Sequence, residues 1–436
     1  ARARTFDDKL RAYYTLTSAT GAQNDMKTAI RTGVEVLDQL GEPIEKEVGI
    51  AMVMKEVMLT KSMLAGKDEH FFIRQTALTD RRKHYAMKFL NLVVIYFSIY
   101  EGIKLPLLAC RMIRLTNEYG LCKESAIAFG LYGMTCCGFL GDYAEGYRYG
   151  KIAAAIVDRF QANDILARCS VLIYGCINVW TEPLQATLPP LLEGHNIGVS
   201  SGDPEFSQMC MRFYIVNAFE CGRPLRELSA DCAELLKDSK RHQLKHVVAL
   251  NKPTWQCIQN LIGDPAQDDP TVLTGDVMHD EQYLSAQIEA GNHTAVCYHY
   301  LLRHFLAYIF GHYELAIQMY HKCYEYDLPR HLMARFGLCS CVFYGGLAAL
   351  AMASVDPDKS KWNNNIDESI AKMEKWASAT AWNCEHKLAL LQAEKFRNVD
   401  DQERATALYK RAIELAREHG FTHEEAIICE RYGSFL

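Results

Sequence analysis

Four stretches of this chain carry the same spaced stripe of small and aromatic residues, and that recurrence constrains the fold most. In "QERATALYKRAIELAREH" the stripe is Ala405, Leu408, Tyr409, Ala412, Ile413 and Ala416, in steps of 3, 1, 3, 1 and 3. The same offsets hold Ala316, Met319, Tyr320, Cys323 and Tyr324. They also hold Gly146, Tyr149, Gly150, Ala153, Ala154 and Val157, and near the start Ala29, Thr32, Gly33, Val36, Leu37 and Leu40. Such steps paint one face of an α-helix. A small residue opens each face, where a neighbouring backbone has to come close. The far face of the last stretch carries Lys410, Arg411, Glu414 and Arg417. A helical hairpin with one apolar face cannot bury it alone, whereas stacked hairpins can.

The rest of the chain reads as helix almost throughout, about twenty helices in all, because strand-like alternation is sustained nowhere. Turn signals fall at Gly120, Gly141, Ser201, Cys221, Gly311 and His419. At the last of these, Gly420 suits a helix end, and Thr422 followed by Glu425 reads as a capping box. The segments 263–276 and 356–365 are polar, turn-rich loops. Separate cores of about 100–200 residues would divide 436 residues into two to four domains. A repeat array grows without that division. The expectation is therefore an all-α, α-hairpin solenoid over 1–436, wound as a right-handed superhelix. The loop 263–276 offers a subdivision into 1–262 and 277–436.

Composition sets the surroundings. Apolar residues make up 49% of the chain and charged ones 23%, enough for a large core. A net charge of −6 with no basic stripe argues against nucleic acid as a partner. The 16 cysteines are scattered through apolar stretches with no CxxC pair, as expected of reduced, buried thiols in a cytoplasmic protein. The opening "ARARTFDDKLRAYY" has neither a secretory core nor an initiator Met, and reads as the start of a piece of something longer. Phe89 to Tyr100 is too short to span a bilayer. Phe336 to Val355, twenty uncharged residues, has the length but is rich in Gly, Ala and Ser, so it reads as a buried helix.

No candidate for chemistry is strong. Gly66-Lys67 is followed by Asp68, where a phosphate loop needs Ser or Thr, and kinase signatures and GxSxG are absent. His242 and His246 are four apart, as helical zinc ligands would be, but Gln243 replaces the general-base Glu. His293, His299, His304, His312 and His321 crowd one region without sharing a helix face. Cys323 and His321 point to different sides of a helix. No catalytic, cofactor-binding or metal residue is assigned. The positions singled out are packing positions: Ala29, Gly33, Gly146, Gly150, Ala153, Ala316, Tyr320, Cys323, Ala405, Tyr409 and Ala412.

The second-helix phrase resembles the tetratricopeptide repeat, in which Ala, Tyr and Ala recur at this spacing. Ala405, Tyr409 and Ala412 match it fully; Ala316, Tyr320 and Cys323 match with Cys for Ala. His304 and Met134 stand where the first helix of such a repeat carries Gly, so the units are degenerate. Longer stretches run "LPLLACRMIRLTNEYGLCKESAIAFGLYGMTCCGFLGDYAEGYRYGKIA", "FYGGLAALAMA", "KWASATAWNCEHKLALLQAEKFR" and "ALYKRAIELAREHGFTHEEAIICERYGSF". These resemble the helical repeat region of large multi-domain signalling ATPase–kinases. That family joins a protein-kinase-like domain, an AAA/STAND-type ATPase, helical repeats, GAF and histidine-kinase domains. Ala381 and Cys384 depart from the family's Pro and Phe, while His386 and Lys387 agree. The resemblance implies a non-catalytic scaffold making protein–protein or interdomain contacts. Two readings stay open beside it: a metal- or small-molecule-sensing domain or enzyme with a pocket near 293–321, and an autonomous cytosolic adaptor.

Overall fold

The computed structural model of the protein describes residues 5–23, 25–263 and 269–436. Among the described residues the fold is all-α, with 22 α-helices, no strand and an isolated bridge between Ala77 and Leu121. The contacts divide the chain into two compact units. One comprises Ala1–Ile173, Gly194–Ser207 and His242–Lys245; the other comprises Tyr174–Glu193, Gln208–Arg241 and His246–Leu436. The loop 263–276 falls inside the second unit, and its residues 264–268 lie outside the described ones.

In the first unit the helices Phe6–Ala22, Met26–Gln39 and Arg81–Tyr100 pack on one another, and Leu105–Tyr119, Ser125–Thr135 and Tyr143–Phe160 follow as successive neighbours. Aspartates cap three of these helices, Asp25, Asp80 and Asp142. Asp25 accepts from the Thr28 amide at 3.1 Å and Asp142 from the Glu145 amide at 3.3 Å, each satisfying a donor that the first turn leaves unpaired. Gly120 ends Leu105–Tyr119 at φ +105°, and a Cβ there would meet the Thr76 carbonyl at 2.5 Å. Only glycine accommodates both constraints. The Phe89 to Tyr100 segment ends Arg81–Tyr100, and its residues 89–97 are buried.

In the second unit His293–Ile309 pairs with Tyr313–Glu325, Gly337–Val355 with Asn363–Ala379, and Ala381–Asn398 with Gln402–Glu418, before Thr422–Phe435. Gly337–Val355 is long and apolar enough to cross a membrane, and 78% of its apolar window is buried within the protein. Two local expectations are corrected here. The capping box at Thr422 does not form: Phe421 is the N-cap, its carbonyl takes the Glu425 amide, and the Glu425 side chain pairs with Arg417. His242 and His246 do not share a helix. One helix ends at Arg241, Gln243 turns the chain at φ +57°, and the next begins at Lys245.

Candidate functional site

All eleven packing positions face inward. A Cβ on Gly33 would lie 2.5 Å from Val93 Cγ1; one on Gly146 would lie 2.3 Å from Cys137 Sγ and 2.8 Å from the Gly133 carbonyl. The Tyr320 ring covers Gly345 in turn, 2.6 Å from where its Cβ would stand. Ala29, Ala153, Ala316, Cys323, Ala405 and Ala412 are wholly buried, and Gly150 is buried with them. Tyr409 does more than fill space. Its hydroxyl donates to Glu394 Oε1 at 2.7 Å, and Arg431 grips the same carboxylate with two bonds of 2.8 Å. Each position serves its own helix interface, so the stripe marks packing and not one reactive centre.

The histidines of 293–321 go to separate tasks. His299 Nε2 meets Asp280 Oδ1 at 2.7 Å, and Arg303 meets the other oxygen at 3.2 Å. His304 lies between the carbonyls of Ala316 at 2.8 Å and Cys341 at 3.2 Å. Burial outweighs the pull of those carbonyls and lowers His304 to about 4, so it is neutral at pH 7. The His293 ring is 5.9 Å from that of His331, whose Nδ1 bonds Thr294. His312 precedes Tyr313–Glu325, and His321 is exposed. Among the described residues no three His, Cys, Asp or Glu side chains gather as metal ligands.

The densest buried chemistry lies elsewhere in the second unit. Lys387 and His386, on Ala381–Asn398, both reach Glu424 Oε2 on Thr422–Phe435. Lys387 Nζ is 2.7 Å away and donates also to the Asn383 carbonyl at 3.1 Å. His386 Nε2 donates to that same carboxylate oxygen. His423 Nε2 stands 3.7 Å from Oε1. The rings of Phe421, Phe336 and Phe343 surround the ammonium, with centroids at 4.6, 5.5 and 5.8 Å.

Burial alone would raise Glu424, but the Lys387 ammonium and the His386 imidazole hold it well below the carboxylate range. Burial likewise opposes the charge on Lys387, and Glu424 leads the opposing pulls that leave Lys387 raised. Burial and the adjacent Lys387 charge push His386 down to about 4, so it donates as a neutral ring. A lysine held this firmly as an ammonium is not an amine nucleophile.

Beside this cluster lies a cavity of about 40 Å³, lined by Glu220, Ser340, His304, Tyr298, Tyr344 and His423 among apolar walls. It has room for one to three waters. The Ser340 hydroxyl donates to Glu220 Oε2. Burial pushes Glu220 up to about 7, against smaller opposing pulls from Ser340 and Lys387. Part of the histidine-rich segment thus borders a cavity, but one sized for water.

Lys387, Glu424 and Glu220 were not legible as partners, since 37 residues separate the first two and nothing local links them. The nearest signal was His386-Lys387 within a quoted stretch of resemblance. No protein-family model matches the chain, and no curated protein is significantly similar to it.

Proposed function

We propose that this protein is a helical-repeat scaffold: a tetratricopeptide-like, right-handed α-hairpin solenoid that makes protein–protein or interdomain contacts within a cytoplasmic signalling ATPase–kinase. The observation that carries the reading is the packing order. Tyr313–Glu325, Gly337–Val355 and Ala381–Asn398 each pack on a sequence neighbour and also on a helix beyond it, with the small-residue stripe at the contact. Nearest-neighbour burial of this kind is what a repeat array needs. The buried charges favour the same reading. Lys387 and Glu424 neutralise one another inside the core, beside a cavity too small for a metabolite.

Two measurements on one preparation test it. Affinity capture with cross-linking and mass spectrometry should place cross-links between this chain and kinase or ATPase domains. Calorimetric titration with Mg-ATP and with zinc should show no binding. Tight nucleotide or metal binding by the chain alone would overturn the scaffold reading.

A further inference from the structure

Among the described residues Glu220 is a carboxyl without a counter-charge of its own. It ends the helix Pro204–Glu220 and lines the cavity with Ser340, whose hydroxyl is its hydrogen-bond donor. Lys387, whose ammonium pulls on it, is already held by Glu424 at 2.7 Å. Among the described residues, the other groups that line this space supply no cation at neutral pH. Thr254, from Lys245–Ile262, is an uncharged part of the wall. On His293–Ile309, His304 is neutral, and the Tyr298 ring is covered by the Arg212 guanidinium, whose Cζ stands 4.4 Å from the ring centroid, outside the cavity lining. On Gly337–Val355, burial raises Tyr344 and Cys339 well above their usual values, so both stay protonated. Burial does the same to Cys221, beside Glu220 in sequence, which reaches about 12. On Thr422–Phe435, burial lowers His423, and Glu424 adds a like charge.

We propose that Glu220, Ser340 and the adjoining cavity form a hydrated proton-binding site, occupied in acid and vacated above neutral pH. The ligand is a proton with one to three waters. The protonated carboxyl fits the apolar wall of Val216, Phe219 and Phe305. The carboxylate needs water in the cavity and the Ser340 hydroxyl turned toward it. This inference does not depend on the scaffold reading.

The linkage runs in one direction. The folded carboxyl binds its proton up to about pH 7, against 4.5 for the ordinary group. Stability from the bound proton is complete below about pH 4.5, is lost as pH rises to about 7, and is flat above that.

The test is urea unfolding of the full chain, followed by tryptophan fluorescence, for the native protein and Glu220→Gln between pH 4.5 and 9. All five tryptophans lie in the second unit, so the signal reports the unit that holds the site. The unfolding constant of the native protein relative to the variant should rise toward tenfold per pH unit between about 4.5 and 7, roughly 300-fold in total, and then level off. A ratio independent of pH overturns the proposal. Infrared difference spectra provide an independent check. Burial also raises Glu205 to about 7, so the protonated-carboxyl band at pH 6 has two sources; the part that Glu220→Gln removes should titrate away by pH 8, and a band that Glu220→Gln leaves unchanged overturns the site. Ser340→Ala, which removes the donor that favours the carboxylate, should move the midpoint upward, and an unmoved midpoint refutes the assigned geometry. If Glu220→Gln fails to fold, the shift that Ser340→Ala produces in the infrared titration still decides the matter, since Ser340 bonds Glu220.

Discussion

Replacing Lys387 with Met is the sharpest test of the buried cluster. Glu424 and Lys387 are at most 1% exposed at their side chains and 2.7 Å apart. Removing one partner of such a pair strands the other's charge, at a cost of about 3–5 kcal/mol. His386 still donates to Glu424 and His423 lies 3.7 Å from its second oxygen, which places the expected loss near the lower end, about 3 kcal/mol. Met fills nearly the same volume and makes favourable sulfur contacts with Phe421, Phe336 and Phe343, so lost packing adds little. The loss should appear as a lower urea midpoint with an unchanged slope, read by fluorescence from Trp180 and Trp376, whose rings are 5.7 Å apart in the same unit. The double variant Lys387→Met/Glu424→Gln removes both charges and should recover most of the loss. The acid limb gives the sign. Glu424 is depressed in the native protein, so its contribution is present above the ordinary glutamate range and lost as pH falls below it; in Lys387→Met that acid loss should shrink. A single-variant cost below about 1 kcal/mol, or a double variant no better than the single, refutes the argument that an unpaired carboxylate sets the penalty.

Other outcomes follow from the packing. Gly146→Val should lower the melting temperature of the first unit, measured by circular dichroism, with a cost of about 2 kcal/mol or more. Even its Cβ would stand 2.8 Å from the Gly133 carbonyl, which is backbone and cannot turn aside. Thr422→Ala should leave stability within about 0.5 kcal/mol, because the Thr422 side chain caps nothing. A loss of 1 kcal/mol there would mean that the capping box forms in solution after all.

The helices and their inward faces were legible in the sequence because both are local. Steps of three and one in Ala405, Tyr409 and Ala412 allow a single buried face, and Gly120, Gly141, Gly311 and Gly420 adopt positive φ where turns were expected. The N-cap at Phe421 and the break between Arg241 and Lys245 were misread for a related reason. Capping residues and ligand spacing are short patterns that backbone geometry can override within two residues. The association of Lys387 with Glu424 and of Glu220 with Ser340 belonged to the tertiary structure alone. Those partners lie 37 and 120 residues apart, and a charged side chain reads as surface until helix packing removes its water. Periodicity determined which residues would be buried; long-range packing decided which buried charges would meet, and which carboxyl would be left without a cation.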